Sequence, residues 1–279
     1  MTLAVNPNGK AVLQASFKLF RQDRRMMWLP AIAIAGSVAT LVALELLSLV
    51  LFNSAVGAIV GAVLALVTSM FITVLCNVAL VFAATDRIEG RTPTVRGSLA
   101  MAWARRGIIF QWSLLAVTVG TAIRALEERL GVFGSIVGFL GQVSWIIASY
   151  LVIPVLAYEN VGPIDAVKRS TQVLKSKYGT VGRSGFRFGI LFLVPTVVAI
   201  ALAALGGSMI KTSPIAGVTV FALGLTALIG ISIYAGAAAI YMRTILYRFA
   251  VGLPVPDLGV DLETIFTKSM TSGGGLFQR

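Results

Sequence analysis

The chain has 279 residues, of which 57% are hydrophobic and 12% charged, with a net charge of +12, one cysteine and no histidine. That charged share is roughly half the share of a soluble domain, so the composition excludes an ordinary soluble fold and predicts a polytopic membrane protein. A single cysteine excludes an internal disulfide, and Cys76, inside an apolar run, reads as a small buried hydrophobe.

The length accommodates about six spans of ~20 residues with their connectors. We therefore expect one transmembrane domain over residues 1–250 and a flexible cytoplasmic tail over 251–279. The positive charge is confined to short segments between apolar runs. Anionic phospholipid headgroups are the expected partner of such segments, and nucleic acid is not.

The first segment ends in Arg21, Asp23, Arg24 and Arg25. It has no apolar core of its own, so the run that follows should stay in place as an uncleaved signal-anchor. Span 1 is predicted over about 27–52, with Pro30 tolerated in its first turn. Asn53-Ser54 suits a tight turn, and span 2 should follow over 55–84. The segment 86–106 has Thr92-Pro93 as cap and first helical position. Val95, Leu99, Ala102 and Trp103 then form an apolar stripe. Span 3 is expected over 107–123, Arg124–Arg129 as a charged turn, and span 4 over 132–158 with Pro154 near its end.

The third segment, Gly162–Gly179, is too charged to cross a bilayer. Ile164, Val167, Thr171, Leu174 and Tyr178 fall on one helical face, and Asp165, Lys168, Arg169, Gln172 and Lys175 on the other. Pro163 suits the first turn, and Asp165 suits its positive end. This reads as a basic amphipathic helix lying on a membrane surface. Span 5 is predicted over 188–210 with a kink at Pro195, Lys211–Pro214 as a turn, and span 6 over 215–242, with the tail beginning at Arg243.

All but Arg124, Arg129 and Lys211 of the 23 basic residues fall on one side of this topology. Both termini are therefore expected in the cytoplasm of a multi-pass cell-membrane protein. The three charged segments also share a pattern: an upstream proline, then an apolar residue with a serine three on. The pairs are Leu13 and Ser16, Val95 and Ser98, and Val167 and Ser170. They suggest three copies of one interfacial helix followed by two spans.

Pro163, Ala166, Ser170, Leu174 and Lys175 form a P-x-x-A-x-x-x-S-x-x-x-L-K pattern. With the opening ASFKLFRQDRRMMWLP, it resembles uncharacterised bacterial six-span membrane proteins. These are distantly similar to the membrane domain attached to some glycerophosphodiester phosphodiesterases. The resemblance carries no catalytic residues over. The phosphodiesterase barrel is not among these residues, so that activity is not implied.

Glu45 is the single carboxylate well inside an apolar run. It reads either as a snorkelling or ion-paired structural group, or as a coupling site with Arg124 as partner. Asn77, Gln111, Gln142 and Ser144 read as interhelical hydrogen-bonding groups, and Gly57/Gly61 and Gly134/Gly138 as close-packing pairs. The acidic pairs Asp86/Glu89, Glu127/Glu128 and Asp261/Glu263 read as solvated turns. Trp28, Trp103 and Trp112 are expected at interfaces, and Trp145 in packing.

No phosphate-cradling, nucleophilic or metal-ligating spacing is present. The sequence thus predicts a non-enzyme without cofactor or metal: a lipid-interacting scaffold, open to assembly as a homo-oligomer. The headgroup candidates are Lys168, Arg169, Lys175, Lys177, Arg105, Arg106, Arg24 and Arg25. The alternative is a transporter or channel for a small solute or lipid.

Overall fold

The computed structural model describes residues 23–52, 54–177 and 181–255. The first interfacial segment with Ser16, and the tail beyond residue 255 with Asp261 and Glu263, lie outside the described residues. Those described form helices and turns, with no strand. After a 3-10 turn at Arg24–Met27 come α1 (Trp28–Phe52), α2 (Ala55–Ile88), α3 (Val95–Ala104), α4 (Arg106–Arg129) and α5 (Gly131–Ala148). Next are α6 (Val152–Tyr158), α7 (Pro163–Lys177), α8 (Val181–Met209) and α9 (Pro214–Ala250). Six stretches are long and apolar enough to cross a membrane: Arg25–Leu51, Val56–Ile88, Arg106–Arg129, Phe133–Tyr158, Phe192–Met209 and Pro214–Ala250. The protein is an all-α, multi-pass membrane protein.

Three boundaries differ from expectation. Arg124–Arg129 is not a turn but the last part of α4, and the chain reverses only at Leu130. The last helix does not end at Met242 but runs on to Ala250, so Arg243 and Arg248 are helical rather than in a tail. Span 4 is interrupted at Ser149–Leu151. Pro154 has no N–H to donate to Tyr150, and its ring crowds that carbonyl. The helix stops and restarts so that Pro154 falls in the first turn of α6.

The chain divides into two compact units. In one, α8 and the first part of α9 form a hairpin. Gly206 lies against the Phe221 backbone, and Gly224 against Ala203. The other contains residues 23–176 and 243–255. There α1 and α2 form a hairpin whose Gly61 abuts Ser48. Ser37 Oγ donates to the Ser69 carbonyl at 3.0 Å and hydrogen-bonds Thr73 Oγ1 at the same distance. In the α4–α5 hairpin Gly134 lies against the Glu127 backbone. Any side chain at these glycines would collide, which is why small residues let membrane helices approach closely.

Burial in this second unit is uneven. Leu29, Val78–Leu80, Ala102, Ile109, Leu151–Val152 and Leu156 are buried at one end. At the other end Leu46, Leu49, Val56, Ile59, Val63, Phe133 and Phe139 are exposed. Trp28 and Trp103 are exposed as interfacial anchors should be, whereas Trp112 is buried and stacks on Trp145 at 5.6 Å.

Helix α7 packs on its unit through small residues rather than through its bulky apolar face. Ala166, Ser170 and Val173 are buried, and Ile164 is exposed. Ser170 Oγ accepts the Leu151 N–H at 3.1 Å, the donor freed by the break in span 4. Ser98, its counterpart on α3, is equally buried, but its hydroxyl has no partner among the described residues. Span 2 is unbroken and offers it no free backbone donor.

Candidate functional site

The polar residues of this unit gather where α2, α6 and α9 end and α3 and α7 begin. Two connectors build the site. After α2, Glu89 precedes Gly90, whose φ of +77° is open to glycine without strain. Thr94 then caps α3 by accepting the Gly97 N–H at 3.1 Å. After α6, extended Glu159 leads through Gly162 to Pro163, the first residue of α7. Each glutamate stands four residues before a proline, Pro93 or Pro163.

The two glutamates meet consecutive residues of α9. Arg248, with a side chain only 2% exposed, donates through Nη1 to Glu89 Oε1 at 2.9 Å and to the Tyr158 hydroxyl at 3.1 Å. Its Nε donates to the Pro254 carbonyl at 2.9 Å. The Tyr247 hydroxyl donates to Glu159 Oε1 at 2.6 Å, and Arg169 Nε donates to the same oxygen at 2.8 Å. Tyr158 and Tyr247 stack at 5.2 Å. Thr85 Oγ1 donates to the Val81 carbonyl at 2.8 Å and hydrogen-bonds the Tyr158 hydroxyl. Since Thr85 spends its proton on Val81, Tyr158 donates to Thr85 and accepts from Arg248.

Further pairs surround this centre. Arg87 binds both oxygens of buried Asp23, tying the start of α1 to the end of α2. Arg91 bridges Asp86 and Glu89, at 2.7 Å to each. Arg105 Nη1 donates to the Leu156 and Glu159 carbonyls at 3.4 and 3.3 Å, satisfying two groups at the end of α6. Arg243 lies over the Tyr150 ring at 4.7 Å. Asp86 and Glu89 are thus not a solvated turn but the anchors of two arginines.

The electrostatics follow from these contacts. Burial pushes the Glu89 carboxyl up, but hydrogen bonds from Arg248 and Arg91 more than offset this and hold it below its ordinary value. The hydrogen bond to Asp86, with that to Glu89, raises Arg91. The hydrogen bond to Glu159 raises Arg169. Each pairing stabilises the charged form, so the site is a neutralised network of fixed ions rather than a set poised to exchange protons.

The headgroup candidates divide in the structure. Arg105 and Arg169 are engaged inside the network. Lys168 is exposed and pairs with Asp165 at 3.2 Å on the open face of α7. Arg106 is exposed beside Trp103, its guanidinium 5.8 Å from that ring, and Arg25 is exposed. The side chains of Arg24, Lys175 and Lys177 lie outside the described residues. Glu45 is exposed on α1 near the opposite end and makes no ion pair with Arg124.

Sequence reading overlooked Glu159, Tyr158, Tyr247 and Arg248. One signal was available: a glutamate four residues before a proline in two successive connectors. Nothing in the sequence marked Tyr247 and Arg248 as their destinations.

No curated protein and no solved structure matches the chain. A family model does match, over residues 55–253, and covers most of the sequence, including both glutamates, both prolines and Arg248. The chain belongs to that family, DUF6159, a family of unknown function.

Proposed function

We propose that this protein is a non-enzymatic scaffold of the cell membrane that holds anionic phospholipid against a basic face, with both termini in the cytoplasm. The observation that carries the reading is the division of the cations at the charged end. The network consumes Arg87, Arg91, Arg105, Arg169 and Arg248. Arg25 and Arg106 remain exposed next to the aromatic anchors Trp28 and Trp103, and Lys168 is exposed on α7 beside Asp165. Cations next to interfacial tryptophans suit phosphate groups at the headgroup level, each contributing about 1 kcal/mol near an anionic surface. The basic excess supports the cytoplasmic placement of this face.

Glu45 favours this reading over transport, because it lies on the exposed surface of α1 and not inside the bundle.

The test is lipid retention by the purified protein, read by native mass spectrometry. A variant combining Arg25→Gln, Arg106→Gln and Lys168→Gln should retain less phosphatidylglycerol than the wild type and equal phosphatidylcholine. Undiminished phosphatidylglycerol would refute the assignment.

A further inference from the structure

Near the far end of the second unit, a carboxylate on α1 and a guanidinium on α4 stand unpaired among the described residues. Glu45 on α1 and Arg124 on α4 are both exposed. Neither side chain makes an ion pair or hydrogen bond among the described residues, and Glu45 engages its neighbour Ser48 only through its backbone carbonyl. Glu128, one turn beyond Arg124 on the same helix, does not pair with it either. An ionised group directed at acyl chains is costly, and intramembrane charges are ordinarily found paired.

The two positions match in depth. Glu45 lies ~26 Å along α1 from Trp28, and Arg124 lies ~27 Å along α4 from Arg106, at 1.5 Å per residue. Both helices run the same way across the membrane, and both pack on α2. At the far end of α2, Val56, Ile59 and Val63 are exposed and apolar.

We propose that a second copy of the chain covers this face, with Glu45 of each copy paired to Arg124 of the other. Two-fold symmetry makes the contact self-complementary: each copy supplies one carboxylate and one guanidinium, so two ion pairs form per dimer. The exposed apolar residues of α2 add contact surface without further charge. This inference requires only that the helices cross a bilayer; it is independent of headgroup binding at the opposite end.

The test uses the full chain in a Cys76→Ser background. Two differently tagged copies are co-expressed, one carrying Glu45→Cys and the other Arg124→Cys. Mild oxidation in native membranes should join the two tags. In lipid nanodiscs the wild type should be dimeric by mass photometry. Glu45→Gln removes both pairs and should weaken the dimer about tenfold, the scale of two average interhelical polar contacts. Glu45→Arg or Arg124→Glu alone should give monomer, and the double exchange should restore the dimer. A monomeric wild type in lipid, absence of the cross-link, or a dimer indifferent to all these changes would overturn the proposal. Retention of phosphatidylglycerol should be unaltered by Glu45→Gln, which separates failure here from failure of the headgroup reading.

Discussion

At one end of the second unit, Asp23, Asp86, Glu89 and Glu159 are each bound to arginine, and the side chains around them are buried. At the other end, two hairpins are held by close contacts at Gly61 and Gly134, and Glu45 and Arg124 stand exposed and unpaired among the described residues. The same residue types behave oppositely because of what surrounds them. Where several helices end together, their connectors bring complementary charges and free backbone carbonyls within reach. Along a hairpin, a charge on the outer face of a helix meets no neighbouring helix. The polar groups of the packed end are therefore structural, and those of the open end are available to a partner.

Arg248 should be the most sensitive point of the packed end. Arg248→Met keeps the apolar stem but removes the bonds to Glu89, Tyr158 and Pro254. Glu89 keeps Arg91, so the cost is that of hydrogen bonds to a charged group, about 2 kcal/mol, and it should appear in detergent-based reversible unfolding. An unchanged midpoint would mean that the packed end owes its stability to apolar contacts alone.

A smaller, pH-dependent effect belongs to Glu89. Its carboxyl titrates below its ordinary value in the folded protein. The stability it contributes is therefore present above the unfolded carboxyl pKa of about 4.3 and is lost as the pH falls through the lower folded value. The wild type should exceed Glu89→Gln in stability at pH 7, and the two should converge on acidification below about pH 4. A gap that widens on acidification would contradict the pairing.

The smallest effect should come from the open end. Glu45→Gln, measured on the monomer in detergent, should change stability by less than about 0.5 kcal/mol, as for surface substitutions without partners. A large loss there would mean that Glu45 has a partner within its own chain, and the contrast between the two ends would fail.

Much of the fold was legible. Apolar runs placed all six spans and Pro163 marked the start of α7, but α3 begins at Val95 with Thr94 as its cap, not at Pro93 behind Thr92. The errors have a common physical origin. Arg124–Arg129 looked like a turn because charges ordinarily leave the membrane, yet α4 continues to the point where its hairpin partner begins. On α7 hydropathy placed Ile164 and Leu174 on the face turned to the membrane, and the structure adds that Ala166 and Ser170 are the residues buried against protein. Between helices at a membrane, small residues face protein and bulky ones face outward, so hydrophobic periodicity alone does not show which residues pack on protein. Of the cations proposed for headgroups, Arg105 and Arg169 belong to the structural network instead, because the groups that engage them lie on other elements.

By itself the sequence determined the class, the number of membrane-crossing segments and the placement of charge between them. Those properties follow from the transfer of each residue between water and hydrocarbon, which is local and nearly additive. Only the tertiary structure decided which charges are neutralised. Glu89 and Arg248 are separated by 159 residues in the chain, and their meeting depends on where α2 and α9 end in space, a relation that no window of the sequence contains.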